Sequence, residues 1–320
     1  MPRLEIRPFS DEFLDAAGEL LAARHRAHRA AEPLLPARYE DPGAARAEVE
    51  ALVSAEGLSG AVALRDGHVV GYLVGAPRPT PLWGEHVWIE LAGHAVEEAE
   101  DLRDLYRLAA SRWVDEGHVR QYAMVPAHDP VLVEAWFRSG FGQQQAHGVM
   151  EVPADTAWPA GARRAEERDV DELYAITPVL TEHQIASPVF SGVSASRPPE
   201  DELRAEILED IGKPELGELV FERDGRIVGA FEVVPAELSS VHSGLARPER
   251  AALIGWAVTY PDVRGSGAGR ALTEASFAWA REQGHEVMLA DWRVTNLESS
   301  RFWPARGFRT SFLRLYRHIP

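Results

Sequence analysis

The same sequence pattern occurs twice along this chain of 320 residues, and the repeat restricts the fold more than any other feature. The segment Arg65–Gly71 (RDGHVVG) recurs as Arg223–Gly229 (RDGRIVG), 158 residues later. Three more pairs follow in the same order at an offset of 167: Gly117-His118 with Gly284-His285, Trp136 with Trp303, and Gly140-Phe141 with Gly307-Phe308. Self-similarity over so long a period marks a duplicated structural unit. The sequence therefore predicts two copies of one domain of roughly 155 residues, a size typical of single domains.

A segment rich in turn-forming residues separates the two copies. Residues 153–161 (PADTAWPAG) show no hydrophobic period, so we place a linker there and predict domains at residues 1–152 and 163–320. In each copy Asp-Gly joins two apolar runs, which predicts a β-hairpin, and strands then alternate with helices, which indicates an α/β sheet. The second copy should have strand four at Leu253–Val258, a helix at Gly269–Glu282, strand five at Val287–Val294, parallel to strand four, and a helix at Leu297–Arg306.

A three-glycine turn connects strand four of the second copy to the following helix. The segment Val258–Leu272 reads VTYPDVRGSGAGRAL. Glycines let the backbone approach a ligand closely, and the amides that begin a helix bind anions. A dinucleotide-binding fingerprint would need glycine where Arg270 stands, and a P-loop would need Gly-Lys-Ser/Thr. Neither pattern is present, so the turn predicts an anion site of another kind.

The residues of this turn and a second motif downstream carry a resemblance to a known family. Arg264, Gly267 and Gly269 fit Gln/Arg-x-x-Gly-x-Gly/Ala, the acyl-CoA motif of the GCN5-related N-acetyltransferases (GNAT). The downstream match consists of Asn296, Ser299, Phe302, Trp303, Gly307 and Phe308. The resemblance covers residues 163–320 well and residues 1–150 only in layout. It implies an α/β fold of two tandem GNAT domains, each a mixed, mostly antiparallel sheet flanked by helices.

The resemblance also implies where acetyl-CoA would bind. Backbone amides of the turn and the helix dipole would hold the pyrophosphate, strand four would pair with the pantetheine arm, and Asn296 would bond that arm from the other side. A backbone amide of Ala257 or Val258 would polarise the thioester carbonyl. The residues assigned to the cofactor in this way are Trp256, Ala257, Val258, Arg264, Gly265, Ser266, Gly267, Ala268, Gly269, Arg270, Asn296, Ser299 and Trp303.

Acetyl transfer needs a base for the amine and an acid for the leaving thiolate. Asp291 is the candidate base, because the family often has a glutamate there, twelve residues before its tyrosine acid; Glu232 and Glu249 are alternatives. Trp303 replaces that tyrosine, and an indole N–H cannot release a proton. Tyr316 is a candidate acid, and Tyr260 and Ser299 are the alternatives. If none serves, the domain binds acyl-CoA without turnover.

The first copy has lost the features of the turn. An offset of 167 puts Glu97, Glu98 and Glu100 where Arg264, Gly265 and Gly267 stand, and Met124 where Asp291 stands. Each carboxylate would repel a pyrophosphate by about 1 kcal/mol or more. We therefore predict a degenerate GNAT-like first domain that does not bind CoA, and we interpret its acids as the N-terminus of a helix that ends near Val114.

Composition limits the partners of the protein. The net charge of −17 argues against nucleic acid, and no apolar run is long enough to span a membrane. The chain has no cysteine, which fits the cytoplasm. We expect an N-acetyltransferase that uses acetyl-CoA and no metal and acts on a primary amine of a small molecule; a non-catalytic acyl-CoA sensor is the alternative. A homodimer is a possible assembly.

Two further segments carry expectations. His25 and His28, with their arginine neighbours, are interpreted as a solvated basic helix face. The proline-containing residues 176–199 follow the first helix of the second copy. They are interpreted either as an acceptor-site loop or as a plain surface connection.

Overall fold

The computed structural model describes residues 4–80, 83–191 and 198–320. The chain forms two compact units. The first unit contains Met1–Ala146, Gly244–Ala246 and Thr310–Pro320, and the second contains His147–Ser243 and Arg247–Arg309. The units are therefore not continuous in sequence, since the end of the chain packs in the first unit. The domain limits at 152 and 163 divide the chain by its repeats and stay a prediction.

The helices and strands alternate in both units. The strands are, in chain order, β1 (Leu4–Pro8), β2 (Ser59–Arg65), β3 (His68–Pro77), β4 (Val87–Ile89), β5 (His94–Val96), β6 (Arg120–Pro126), β7 (Gly142–Glu151), β8 (Ala162–Arg164), β9 (Gly217–Arg223), β10 (Arg226–Pro235), β11 (Ala251–Thr259), β12 (Val287–Arg293) and β13 (Arg309–His318). The helices are α1 (Leu14–Ala31), α2 (Pro42–Val53), α3 (Asp101–Asp115), α4 (Pro130–Arg138), α5 (Val170–Ile185), α6 (Glu200–Ile211), α7 (Ala268–Glu282) and α8 (Leu297–Ala305).

Each unit contains a mixed, mostly antiparallel sheet with helices around it, which confirms the predicted fold class. In the first unit the strand order is β1-β2-β3-β4-β6-β13, and β5 also pairs with β3. In the second unit the order is β12-β11-β10-β9-β8, and the half of β7 that belongs to this unit, His147–Glu151, lies beside β12. The neighbours β11 and β12 are parallel, as predicted, and so are β4 and β6.

The two Asp-Gly turns produce the hairpins that the sequence predicts. Asp66 and Gly67 have φ of 51° and 81°, and Asp224 and Gly225 have φ of 53° and 75°. Positive φ at both central residues is the type I′ geometry, whose twist matches that of the paired strands. The β2–β3 and β9–β10 pairs are antiparallel on either side of these turns.

Helices cover both faces of the sheet in the second unit. On one face α5 packs on the strands through a cluster whose buried members include Leu173, Ile176, Val220 and Ala230. On the other face α7 presents Trp279, which is fully buried. A Cβ on Gly217 of β9 would lie 2.9 Å from the Trp279 ring. Glycine at this position therefore lets the indole lie flat against the strand, and the helix is held close to the sheet.

Two expectations about local structure are wrong. The imidazoles of His25 and His28 are only 1% and 2% exposed, and their Nε2 atoms bond the carbonyls of Pro36 and Ser311. Helix α1 thus packs through these residues instead of presenting them to solvent. The segment 176–199 also begins inside the first helix of the second copy and not after it, because α5 continues to Ile185; its role as an acceptor-site loop or a surface connection stays a prediction. Residues 192–197 of that segment lie outside the described residues.

Among the described residues, no helix is both long and apolar enough to cross a membrane.

Candidate functional site

The glycine turn ends in an exposed helix N-terminus. Gly265 and Gly267 have φ of 75° and 95°, in the left-handed region that side chains disfavour. Gly267 is the N-cap of α7 and offers no side chain to the first amides. The amide of Ala271 donates to the Gly267 carbonyl, so the amides before it precede the first intrahelical bond and point out of the helix. A Cβ on either glycine would meet no atom within 4 Å. The turn therefore leaves open space in front of its donors.

Arginines lie around this turn. Arg223 donates from Nη2 to the Ser266 carbonyl at 3.0 Å and holds the turn in place. Arg264 Nη1 lies 3.6 Å from Glu298 Oε1, and this carboxylate is 56% exposed. Such an exposed pair is worth little energy. The Arg264 guanidinium can therefore exchange this partner for another anion at the turn.

The two parallel strands separate just before the turn. The register of β11 and β12 runs from Ala251 opposite Val287 to Ile254 opposite Ala290 and ends there, although both strands continue. Gly255 is an extra residue at this point, since Ile254 and Trp256 lie opposite successive residues of β10. This β-bulge turns the strand away from its neighbour. The backbone of residues 256–258 thus forms a free strand edge, to which an extended ligand can add.

Asp291 is the first residue of β12 after the strands part, and its side chain is 29% exposed. Its Oδ2 lies 3.8 Å from Nδ1 of His147, a residue of β7 that is 1% exposed. His147 Nδ1 lies 3.3 Å from His242 Nε2, and His242 Nδ1 lies 3.1 Å from Ser239 Oγ. The sequence predicted Asp291 and missed the two histidines, which no local motif marks.

The start of α8 faces the same opening of the sheet through a small polar group. Asn296 is buried and caps α8, because its Oδ1 accepts from the amides of Glu298 and Ser299 at 3.2 and 3.3 Å. Its Oδ1 also lies 3.3 Å from His183 Nε2. The side-chain Nδ2 group is then the part of Asn296 that has donors to offer a ligand. The Ser299 hydroxyl donates to the Asn296 carbonyl at 3.3 Å.

The candidate acids lie in different surroundings. Trp303 is 5% exposed and packs against Phe231, Phe302 and Phe308, so it belongs to the core behind the site. Tyr316 lies in the first unit, opposite Tyr122 in the β13–β6 ladder. The acid role of Tyr316 and the cofactor contact of Trp303 stay predictions.

Two glutamates on neighbouring strands have surroundings that favour the neutral form. Glu218 and Glu232 lie opposite each other on β9 and β10. Burial, with a smaller contribution from Glu232, raises the pKa of Glu218 to about 8. Burial also raises the pKa of Glu232, helped by Asp210 and Glu206 of α6. Glu232 lies at the β-bulge, since its Oε1 would be 3.2 Å from a Cβ on Gly255. No sequence motif marks Glu218, and Glu249, the other candidate base, is exposed.

The corresponding part of the first unit is closed by side chains. The registers of the two sheets place His94 where the second unit has Ala257 and Met124 where it has Asp291. Burial lowers the pKa of His94 to about 3, so the ring is neutral. Its Nε2 lies 3.0 Å from the Met124 carbonyl and donates to it, and Arg24 donates to the His94 carbonyl. Backbone groups that a ligand could pair with are therefore already bonded.

Glu98 and Glu100, two of the acidic residues that replace the glycine turn, are held in ion pairs, and so is the neighbouring Asp101. Arg65 contacts Asp101 through Nη2 at 2.9 Å and Glu98 through Nη1 at 3.0 Å, and Glu100 pairs with Arg103 and Arg138. Helix α3 begins at Asp101. This arrangement supports the interpretation of the acids as a helix N-terminus. Among the described residues, no three or more histidine, aspartate and glutamate side chains gather in a way that could hold a metal ion.

Comparisons with known proteins agree with this description. Residues 181–308 match the model of the acetyltransferase (GNAT) family. A GCN5-related N-acetyltransferase from Sphaerobacter thermophilus superposes with a TM-score of 0.57 at 14% identity, over 98% of this chain and 95% of that one. An acetyltransferase from the GNAT family from Colwellia psychrerythraea gives 0.50 at 12% identity, over 99% and 100%. At such identities the likeness shows the fold. No curated protein matches the sequence significantly.

Proposed function

We propose, from the match of residues 181–308 to the acetyltransferase (GNAT) family, that the second unit transfers an acetyl group from acetyl-CoA to a primary amine of a small molecule. The observation that carries the proposal is the combination of an open helix N-terminus with separated strands. The turn offers the amides of Gly267–Arg270 to a pyrophosphate, and the free edge at 256–258 offers strand pairing to a pantetheine arm. The free edge and the turn are consecutive parts of residues 256–270, so one extended ligand can contact both.

The charges of the turn fit this ligand. A CoA pyrophosphate brings negative charge to the amides before Ala271, where the helix dipole favours it, and Arg264 adds a cation whose present partner is exposed. Acetyl-CoA supplies an activated thioester carbonyl. The chain's own residues position it, and a backbone amide at Ala257 or Val258 polarises that carbonyl.

Asp291 is the base of the proposed reaction. It lies where the strands part, it is partly exposed, and its carboxylate can accept a proton from an incoming ammonium group. The raised pKa values of Glu218 and Glu232 favour the protonated form of both carboxyls, which can accept a hydrogen bond from an amine beside the bulge but cannot take up its proton. The acidic character of the chain, with a net charge of −17, is compatible with a cationic acceptor.

The alternative is a protein that binds acyl-CoA without transferring the acyl group. The buried Trp303 favours it, because an indole stands where the family has its tyrosine acid. If the domain does transfer the acetyl group, the CoA thiolate has to leave without a side-chain acid and take its proton from water.

Calorimetry with acetyl-CoA tests the cofactor site. The Arg264→Glu/Gly267→Glu double variant puts two carboxylates at the turn, and we expect at least a hundredfold weaker binding. Gly284→Glu is the matched control, since Gly284 also has positive φ (81°) and open space around it but lies at the other end of α7. Undiminished binding by the double variant would refute the site. Release of free thiol across a panel of small amines then separates the enzyme from the sensor: binding without turnover identifies the sensor.

A further inference from the structure

Three polar side chains lead from the neighbourhood of Asp291 to the surface of the second unit. His147 and His242 are 1% and 2% exposed, and Ser239 lies between the exposed residues Leu238 and Ser240. The atoms follow one another at 3.8, 3.3 and 3.1 Å, from Asp291 Oδ2 to His147 Nδ1, from the same Nδ1 to His242 Nε2, and from His242 Nδ1 to Ser239 Oγ. A row of buried imidazoles is unusual next to a sheet core, where apolar side chains pack better.

The order of these atoms lets each histidine pass a proton. Both nitrogens of the His242 ring are used, one toward His147 and one toward Ser239. His147 Nδ1 faces two groups, the Asp291 carboxylate and His242 Nε2. The distance of 3.8 Å is too long for a hydrogen bond. A rotation of the partly exposed Asp291 side chain closes it, and catalytic contacts commonly tighten in this way when substrate binds.

The backbone around His147 is built to hold it in this position. A Cβ on the next residue, Gly148, would lie 2.7 Å from the Trp292 ring and 3.0 Å from Phe308 Cβ. Strand β7 can therefore lie against β12 only with glycine there. Ser239 Oγ in turn accepts from the amides of Val241 and His242 at 3.3 and 3.1 Å, which fixes the hydroxyl beneath the His242 ring.

We infer that His147, His242 and Ser239 form a proton relay that clears the base of the proposed acetyltransferase. This inference rests on the proposed function. The amine proton moves to Asp291 Oδ2 and from there to His147 Nδ1, and that proton then passes to His242 Nε2. His242 releases its Nδ1 proton to Ser239 Oγ, and the serine hydroxyl gives its own proton to water. One proton leaves the site and no electron is transferred. Asp291, His147 and Ser239 return to their starting state, whereas His242 ends as its Nε2–H tautomer and has to regain the Nδ1–H form by proton exchange before the next turnover.

The relay gives the first copy of the repeat, residues 1–152, a role in the reaction of the second unit. His147 precedes the linker and belongs by sequence to residues 1–152, yet it packs in the second unit. The base of the C-terminal domain is thus served by a residue that the other copy encodes. A C-terminal GNAT domain without the first repeat would lack the first histidine of the relay.

Kinetics of CoA release in dilute buffer test the relay. His147→Asn and His242→Gln keep polar atoms near the Nδ1 and Nε2 positions but cannot pass a proton. We expect each to lower kcat at least tenfold, with the KM for acetyl-CoA unchanged, and to make kcat rise with buffer concentration, because buffer replaces the relay. Added imidazole should restore part of the activity of His147→Ala. His285→Asn, a partly buried histidine elsewhere in the second unit, is the control and should behave as the wild type.

Two outcomes would overturn the relay: variants with wild-type kcat, or variants with a lowered kcat that neither buffer nor imidazole changes, which is the behaviour of a structural role. If the wild type releases no CoA with any amine, the proposed function fails separately. In that case ¹⁵N NMR of the imidazoles decides whether the chain of hydrogen bonds exists. Asp291→Asn and Ser239→Ala should each move the nitrogen resonances of both histidines, and unchanged resonances would disprove the connection.

Discussion

Replacing Glu218 by glutamine should make the protein more stable at high pH and have little effect at low pH. The pKa of this carboxyl is raised from 4.5 to about 8, first by burial and then by Glu232 across the strand pair. Below pH 4.5 both the folded and the unfolded chain carry the proton, so its burial costs nothing extra. Between pH 4.5 and 8 only the folded chain keeps the proton, and stability therefore falls as the pH rises. Glutamine has no charge to bury and removes this dependence.

The pKa interval sets the size of the effect. Each pKa unit corresponds to about 1.4 kcal/mol, so the rise from 4.5 to about 8 gives a ceiling of roughly 5 kcal/mol above pH 8. Water that reaches the partly exposed carboxyl lowers the figure, and we expect a gain of about 2 kcal/mol for Glu218→Gln at pH 8.

Urea unfolding at pH 4.5, 6 and 8 measures this gain as a shift of the midpoint. Glu215→Gln is the control, because Glu215 precedes the same strand and is exposed. The reasoning predicts that the midpoints of wild type and Glu218→Gln move apart as the pH rises, with the variant the more stable. Parallel curves for the two proteins would show that Glu218 is ionised in the folded state, and would refute the burial argument.

Three further predictions concern the site. Gly267→Ala and Gly284→Ala should lose similar stability, about 1 kcal/mol, since both positions have positive φ, but only Gly267→Ala should weaken acetyl-CoA binding in calorimetry. Trp303→Tyr places a hydroxyl where the family has its acid, and stopped-flow detection of CoA should show faster release; an unchanged rate would mean that the thiolate needs no acid. Gly148→Ala should lower the thermal midpoint by several degrees, because its Cβ would lie 2.7 Å from the Trp292 ring.

The sequence predicted the parts of the fold that local signals determine. The Asp-Gly turns need positive φ and therefore mark hairpins at Asp66 and Asp224. Predicted strand four, helix and strand five differ from β11, α7 and β12 by at most two residues at each end. The glycine turn could be predicted for the same reason, since consecutive residues of the sequence determine its conformation.

The sequence could not predict what depends on pairing between distant strands. His147 lies in an ordinary stretch of β7, and 144 positions separate it from Asp291; only the adjacency of β7 and β12 brings them together. In the sequence, Glu218 looks like one of many surface acids. Only the register of β9 and β10 shows that it lies opposite Glu232. The arginines around His25 and His28 predict a solvated helix face. The pattern does not reveal the backbone carbonyls that the two imidazoles bond in the folded protein.

The two copies show how one fold gains or loses a ligand site through few positions. In the second unit, Gly255 bends β11 away from β12 and the edge that follows is free. In the first unit, the His94 ring reaches the Met124 carbonyl across the equivalent gap. One side-chain hydrogen bond thus takes the place that strand pairing with a ligand would occupy. Restoring a site to the first copy would require removal of this bond and of the carboxylates that Arg65 holds. These two features are independent of each other, and both favour our prediction that the first copy does not bind CoA.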